Sequence, residues 1–284
     1  MDGRPVQIRD RGGWLEASGR PHRALRPFLR AYQGYWEPEA VPSRMRTLPT
    51  RTVVVIVNLG PPMRLEVPGP GAAAELGSFA AGMYDGHGAY STPGGQHGVQ
   101  LDLSPLGAYT LLGVPMARIT NAAVELADLL GPEAAALVER LSATPSWARR
   151  FDLLDAFLLR RFEIGPEPDP EVARAWRLLR GSDGAVGVAR LAEDVGWSRR
   201  HLTQRFTEQA GLPPKVMGRV LRFQRAVELL SRHGLVLADA AALSGYYDQA
   251  HLNREFRALS GCTPSELLGG QLEQQRVTTV PEPA

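Results

Sequence analysis

The chain has 284 residues, of which 44% are hydrophobic and 22% are charged, a composition typical of a globular protein with roughly two domains. Its formal net charge is only +2, whereas domains that bind nucleic acids are usually strongly basic. The single cysteine, Cys262, excludes an intramolecular disulfide bond and a thiolate cluster for zinc or iron–sulfur. Because no apolar run reaches the roughly 18 residues of a membrane span and the arginine-rich start lacks the apolar segment of a secretory signal, we expect a cytoplasmic protein with no membrane partner.

The amino-terminal part of the chain carries signals for strands and turns. Residues 1–20 are polar and rich in glycine, without a period, and we expect them to be loosely ordered. A buried strand is predicted at 52–58, which is β-branched and is followed by a Gly-Pro-Pro turn. A half-buried strand is predicted at 98–103, where apolar and polar residues alternate. Residues 21–115 therefore indicate a β-sandwich or barrel.

Helices are predicted after this β-rich region, because apolar residues then recur every three or four positions. The predicted helices are 124–130, 132–141 and 146–162. Three prolines at 165–170 exclude a continuous helix there and indicate a linker. Asp169 is placed to cap the next helix, 171–180, with Pro170 at its first position.

An internal repeat follows the linker, with the same residue types recurring about fifty positions apart. The first copy consists of Ala192, Gly196, Leu202 and Phe206, and the second of Ala241, Gly245, Leu252 and Phe256. The second copy carries one extra residue after its glycine. Each copy fits a helix-turn-helix, in which the small residue allows two helices to cross closely and the glycine takes the positive φ of the turn.

The second helix of each copy is predicted to have one apolar and one polar face. Ser198 and Asp248 stand at the positions of its N-cap. At 100° per residue, the outward residues are Arg200, Thr203, Gln204 and Thr207 in the first copy, and Ala250, Asn253, Arg254 and Arg257 in the second. Arginine and glutamine on such a face can hydrogen-bond to guanine and adenine in a major groove.

A long amphipathic helix, 215–231, is predicted to join the two copies, with a stripe formed by Val216, Val220, Phe223 and Val227. A last helix is predicted to begin at Thr263, which forms a capping box with Glu266. Positions 196–225 contain seven basic residues but one acidic residue, Glu208. This local excess is hidden in the near-neutral total, and it predicts phosphate contacts. Their candidates are Arg199, Arg205, Lys215, Arg219, Arg222 and Arg225.

Two helix-turn-helix copies joined by a long helix resemble the DNA-binding domain of AraC-type transcriptional regulators. The resemblance covers about residues 171–268 and is carried by 192–211 and 245–256. It implies that two recognition helices enter successive major grooves of double-stranded DNA. The DNA-contacting residues that it implies, together with the polar faces above, are Arg199, Arg200, His201, Thr203, Gln204, Arg205, Gln249, His251, Asn253, Arg254 and Arg257. Ala250 departs from the polar residue common at its position, and Pro213 and Pro214 depart from the usual cap of the joining helix.

The amino-terminal half also resembles the cupin-like domains attached to many actinobacterial AraC-type regulators, on the segments 48–53, 94–100 and 106–115. In that family such domains bind a small-molecule effector or dimerise. The fold predicted for the whole chain is α+β, with a cupin-like barrel or sandwich and following helices, and then an all-α domain with two helix-turn-helix units. The predicted divisions are a loosely ordered start at 1–20, a sensor or dimerisation domain at 21–165, a DNA-binding domain at 166–270 and a flexible tail at 271–284.

Other functions have weaker support in the sequence. His87 and His97 are the metal candidates of the barrel, but they lack the clustered His and Glu of a cupin metal site, and the hypothesis of an enzyme rests on these two residues alone. We therefore expect no catalytic residues, metal or cofactor, and we interpret Cys262 as structural. Candidates for lining an effector pocket or for ordinary packing are Trp14, Tyr32, Tyr35 and Trp36. RNA polymerase, an effector and a second copy of the chain are candidate partners besides DNA; the effector-binding residues are unknown.

Overall fold

The computed structural model describes residues 5–10, 14–37, 42–69 and 73–274, with side chains as far as residue 269. The described residues up to position 125 form mostly strands, and those after it form mostly helices, so the predicted α+β class is confirmed. The strands are β1 Val6–Asp10, β2 Leu15–Gly19, β3 Leu29–Trp36, β4 Ser43–Thr47, β5 Val53–Asn58, β6 Met63–Glu66, β7 Ala74–Leu76, β8 Phe79–Ala81, β9 Gly88–Thr92, β10 His97–Leu103 and β11 Ala123–Glu125. The helices are α1 Pro105–Leu112, α2 Leu126–Leu130, α3 Pro132–Ser142, α4 Trp147–Ile164, α5 Pro170–Gly181, α6 Val188–Val195, α7 Arg199–Ala210, α8 Pro214–His233, α9 Leu237–Leu243, α10 Gln249–Ser260 and α11 Pro264–Gln274, with 3₁₀ turns at Arg23–Leu25 and Met116–Ile119.

Two antiparallel sheets face each other in the described part of the amino-terminal half. One has the strand order β1-β2-β3-β10-β5-β8-β11, and the other has the order β4-β9-β6-β7. Apolar side chains of both sheets, among them Ile56, Leu65 and Phe79, pack into one buried cluster between them. The predicted strands at 52–58 and 98–103 are confirmed as β5 and β10, which pair in register from Gly98↔Asn58 to Leu103↔Val53.

Helix α4 covers the opposite face of the larger sheet. Two glycines of that sheet are required by the close approach of the helix, because a Cβ at Gly34 would collide with the ring of Trp147 and a Cβ at Gly19 with that of Phe151. Both faces of the central strand β10 are therefore covered, and Gln100 is only 5% exposed. The prediction of a half-exposed strand at 98–103 was wrong in this respect, since alternation in sequence does not show whether the polar face meets water.

The start of the chain differs from its prediction. Within residues 1–20, β1 and β2 form a hairpin with the register Val6↔Gly19 to Asp10↔Leu15, so the expectation of loose order was wrong for these segments. Strand β1 lies at the sheet edge and is almost wholly exposed. It is therefore held by backbone hydrogen bonds rather than by burial, and an apolar pattern is not needed. Residues 1–4 and 11–13 lie outside the described residues.

Two further boundaries need correction. Residues 124–130 are not one helix: β11 pairs with β8, with Val124 opposite Ala80, before α2 begins, because tertiary pairing overrides the local helical spacing. Of the flexible tail predicted at 271–284, residues 271–274 continue α11, and residues 275–284 lie outside the described residues. The helices predicted at 132–141 and 146–162 are confirmed within α3 and α4. The division between the domains near residue 165 stays a prediction.

The carboxyl-terminal half consists of α5 to α11, and none of the helices in the described part of the chain is long and apolar enough to cross a membrane. The predicted joining helix is confirmed as α8. Its apolar stripe is broader than predicted: Val220 and Phe223 are buried as expected, whereas Val216 and Val227 are only half-buried. Helix α8 packs against helices of both copies, so its inward face also takes the side chains of Met217, Leu221, Ala226, Leu229 and Leu230.

Candidate nucleic-acid interface

The two turns of the repeat have the predicted geometry. Gly196 and Gly245 adopt positive φ values of 71° and 74°, which residues with a Cβ rarely adopt. The side chain of Ser198 accepts a hydrogen bond from the backbone N–H of His201 at 3.2 Å, and that of Asp248 accepts one from His251 at 2.6 Å. Both caps are confirmed, and they fix the points at which α7 and α10 begin.

Each of these helices buries the predicted face. Leu202, Phe206 and Gln209 are fully buried in α7, and Leu252 and Phe256 are fully buried in α10. The opposite faces are open to solvent. Exposed residues there are Arg199, Arg200, His201, Gln204, Gln249, Ala250, Arg254 and Arg257, and half-buried residues are Thr203, Thr207, His251 and Asn253. We call α7 and α10 the recognition helices from here on.

The polar face of α7 borders a shallow, open depression. Its lining consists of Arg199, Arg200, Thr203, Gln204, Thr207 and Glu208, together with Ala117 of the 3₁₀ turn. Four of the predicted DNA-contacting residues thus share one surface, and a segment of the amino-terminal half forms its edge. The sequence carried no signal for this neighbour, because Ala117 is far from α7 along the chain.

Arg205, which was predicted to contact DNA, forms ion pairs within the protein. Its guanidinium bonds to Asp169 through Nε–Oδ2 at 2.8 Å and Nη2–Oδ1 at 3.0 Å, and to Glu208 at 2.7 Å. The hydrogen bonds with Asp169 raise the pKa of Arg205, and they lower the pKa of the Asp169 carboxyl. Asp169 does occupy the N-cap position of α5, but its side chain makes no capping hydrogen bond. The predicted capping role of Asp169 was wrong, because the carboxylate pairs with a cation from a distant helix.

Most of the predicted phosphate-binding residues on α8 also have partners within the protein. Arg219 makes two bonds to Glu255, at 2.9 and 3.1 Å, and Arg222 donates to the carbonyl oxygen of Gly184 at 2.6 Å. Arg225 lies 3.5 Å from Glu228 and 3.8 Å from Asp183, whereas Lys215 is exposed. Four of the acidic partners, Asp169, Asp183, Glu228 and Glu255, lie outside positions 196–225. The basic excess counted in that segment is therefore partly offset by carboxylates from elsewhere in the fold, at Arg205, Arg219 and Arg225.

The other residues that were singled out in the sequence as pocket, metal or reactive candidates contact neighbouring side chains of the fold. The hydroxyl of Tyr32 donates to Asp155 at 2.6 Å, and Trp14 stacks on Tyr35 with ring centroids 5.6 Å apart. His97 lies 2.8 Å from the guanidinium of Arg150, and burial, with the charge of Arg150, lowers its pKa. The described residues hold no group of three or more His, Cys, Asp or Glu side chains that could bind a metal. Cys262 is buried within the core around α10, beside Ser260.

Contacts between the two halves of the chain were missed by sequence reasoning. The hydroxyl of Thr120 donates to the carbonyl oxygen of Gly211, which ends α7, at 2.5 Å. The guanidinium of Arg46 donates to the carbonyl oxygen of Ser260, at the end of α10, at 2.9 Å. Next to Ser260, the ring of His87 leaves no room for a Cβ at Gly261. Because the partners are 91 and 214 residues apart, no local pattern could reveal them.

The repeat matches known proteins. Residues 191–269 match the family model described as a helix-turn-helix domain. An uncharacterised helix-turn-helix-type transcriptional regulator of Bacillus subtilis is 35% identical over 88 residues, which cover 31% of this chain and 32% of that protein. The arabinose operon regulatory protein of Escherichia coli is 29% identical over 126 residues, or 42% of this chain and 43% of that protein. The chain thus matches less than half the length of these curated relatives.

Among solved structures, ToxT from Vibrio cholerae is 12% identical, with 84% of this chain and 96% of that chain covered and a TM-score of 0.47. The two capped turns, the two recognition helices and the joining helix α8 lie within residues 191–269. This part of the chain therefore matches a helix-turn-helix domain and is similar to AraC-type transcriptional regulators such as the arabinose operon regulatory protein.

Proposed function

We propose that the chain is a sequence-specific, DNA-binding transcriptional regulator that acts in the cytoplasm and catalyses no reaction. The observation that supports it best is the pair of capped recognition helices, each with one buried face and one solvent-exposed polar face. Helices of this kind enter the major groove of double-stranded DNA with their amino-terminal residues against the bases. RNA polymerase and a second copy of the chain are further partners that we propose for a regulator of this kind.

Base recognition is assigned to side chains near the start of each recognition helix. In α7, Arg200 and Gln204 are exposed and one turn apart, so both can face one groove. In α10, Gln249 and Arg254 are exposed. Arginine pairs with guanine and glutamine with adenine through two hydrogen bonds each, which distinguishes these bases from the others. Arg205 is left out of this set, since its guanidinium is bound to two carboxylates.

The test is selection of bound duplexes from a random-sequence pool by the full-length chain. We expect two enriched half-sites whose centres are about 10 base pairs apart, one helical turn. Arg200→Ala should cost about 1–3 kcal/mol at one base pair and relax the preference there. Arg190→Ala is the matched control, because Arg190 is an exposed arginine of α6 paired with Glu193 outside the recognition helices. Failure of the wild type to enrich any sequence would contradict the proposal.

Modulation by the amino-terminal half is part of the proposal. This half contacts the carboxyl-terminal end of both recognition helices, through Thr120 on Gly211 and Arg46 on Ser260. It also contacts α8, where the side-chain amide of Gln224 donates to the carbonyl oxygen of Pro49 at 2.9 Å. A change in the sheets can thus be transmitted to both helices, and couplings of this kind typically amount to about 1–3 kcal/mol.

A small-molecule effector is favoured over dimerisation alone by a polar group inside the sandwich. The hydroxyl of Tyr35 is buried in the cluster between the sheets and has no hydrogen-bond partner among the described residues. A buried polar atom of this kind usually has a partner, because leaving it unbonded costs about 1–3 kcal/mol. A ligand with a hydrogen-bonding group can supply one. A shift of the melting temperature of the full-length chain with members of a metabolite set is expected, and Tyr35→Phe should reduce it.

A further inference from the structure

The second turn of the repeat has one more residue than the first. Between the glycine and the N-cap, the first unit has Trp197 alone, whereas the second has Tyr246 and Tyr247. Trp197 packs edge-on against His201, with ring centroids 4.4 Å apart. Tyr246 packs in the same way against His251, at 5.3 Å. Tyr246 is therefore the structural equivalent of Trp197, and Tyr247 is the additional residue.

Tyr247 has a fixed backbone and an exposed side chain. Its backbone N–H donates to Nδ1 of His251 at 3.4 Å, and the next residue, Asp248, caps α10. The side chain is 93% exposed, compared with 5% for Tyr246. Tyr246 already fills the core beneath the turn, so the packing of the unit does not require a second aromatic residue.

The position of Tyr247 places it at the end of α10 that meets DNA. Tyr247 precedes the N-cap, and the amino-terminal end of a recognition helix is the part that approaches the groove and its flanking phosphates. The second unit also lacks a cation that the first one has, since Ala250 stands two residues after its cap where the first unit has Arg200. Tyrosine hydroxyls are among the groups that donate hydrogen bonds to phosphate oxygens in protein–DNA complexes.

We propose that Tyr247 is a DNA-backbone contact of the second unit, in which the phenol hydroxyl donates to a phosphate oxygen and the ring lies against the adjoining deoxyribose. This contact positions α10 in its groove and adds binding energy without reading a base. It rests on the proposed function, because it presumes that α10 binds double-stranded DNA.

The experiment compares full-length variants on two probes: the duplex that the wild type enriches most from the random pool, and a scrambled duplex of equal base composition. Tyr247→Ala should weaken binding to both by about tenfold, since a hydrogen bond to a charged group and the contact of the ring are lost. Tyr247→Phe, which keeps the ring, should weaken binding by about threefold, and neither variant should alter the selected sequence. Leu243→Ala is the matched control, because Leu243 is an apolar side chain of α9 that is 63% exposed and lies before the turn. It should bind as the wild type does.

The outcomes separate the two proposals. If the wild type enriches a duplex and Tyr247→Ala retains the wild-type affinity on both probes, the tyrosine contact is disproved and the proposed function stands. The same holds if the loss is confined to the selected duplex with a changed base preference, which would assign Tyr247 to a base. If the wild type enriches nothing, both proposals fall. Unchanged thermal melting of Tyr247→Ala, expected for so exposed a residue, shows that the fold is intact.

Discussion

The first helix-turn-helix unit, α6 and α7, shares its hydrophobic core with the amino-terminal half, whereas the second unit, α9 and α10, has a core of its own. Phe206 of α7 belongs to one continuous cluster that also contains Phe151 of α4 and Leu101 of β10. Phe256, at the equivalent position of α10, packs edge-on against Phe223 of α8 in a separate cluster. Two copies of one sequence pattern are thus attached to the rest of the molecule in different ways, and the second unit is the one with fewer apolar ties to the sheets.

Each unit also anchors its recognition helix with an ion pair, and the charges are reversed between the units. The recognition helix supplies the cation in the first unit and the anion in the second. Arg205 stands seven residues after the cap of α7 and pairs with Asp169 at the start of α5. Glu255 stands seven residues after the cap of α10 and pairs with Arg219 of α8. In both units this position ties the recognition helix to the helix that precedes the unit, at the N-cap of α5 in the first unit and within α8 in the second. The comparison indicates that the position is structural, and this favours an anchoring role for Arg205 over the contact with DNA that the sequence predicted.

The largest effect is expected from removing the central phenylalanine of each unit. Phe206→Ala and Phe256→Ala should each cost about 3–5 kcal/mol of stability, since both side chains are fully buried. If the cores are separate, Phe256→Ala should increase hydrogen exchange in α9, α10, α11 and the part of α8 that begins at Phe223, whereas Phe206→Ala should also affect the sheets. Phe256→Leu, which leaves a smaller cavity, is the milder control. If hydrogen exchange increased in the same helices and strands in both variants, the two units would be attached to the rest of the molecule in the same way.

A smaller effect is expected from exchanging charges in the anchoring pairs. Arg219→Glu and Glu255→Arg should each reduce the free energy of unfolding by about 1–2 kcal/mol, because each places two like charges together at a partly buried site. The double variant should recover most of the loss, which a double-mutant cycle measures by chemical denaturation. The same cycle on Arg205 and Asp169 should give a coupling of similar size. Absence of coupling in the first unit would remove the anchoring role of Arg205.

The smallest effects are expected from the polar contacts between the halves of the chain. Thr120→Val should change DNA affinity by a few fold through the first half-site, and Arg46→Ala should do so through the second, because each variant removes one hydrogen bond at the end of one recognition helix. Binding to duplexes with one half-site scrambled measures the two effects separately. Arg44→Ala is the control for Arg46, since Arg44 lies on the same strand but pairs with Glu66. Identical behaviour of Arg44→Ala and Arg46→Ala would contradict the role of the contact.

The sequence by itself determined the features that depend on neighbours along the chain. The repeat, the glycines with positive φ at 196 and 245, the caps at Ser198 and Asp248, and the capping box of Thr263 with Glu266 were all predicted and are all confirmed. The caps and the capping box are contacts between residues three positions apart, and a positive φ is a property of one residue. Local geometry and hydrogen bonding therefore suffice to specify them, and they place both recognition helices.

Only the tertiary structure decided which charges stay available and what covers each face. Arg205 and Asp169 are 36 residues apart, and Arg46 and Ser260 are 214 apart, so no count within a segment can show that these groups meet. The edge strand β1 was missed for a related reason, because it is held by a backbone ladder and not by a buried face. The near-neutral total is a property of the composition alone, whereas folding pairs Arg205 and Arg219 of the apparent basic cluster with carboxylates from distant segments, since Coulomb attraction depends on distance in space and not on distance along the chain.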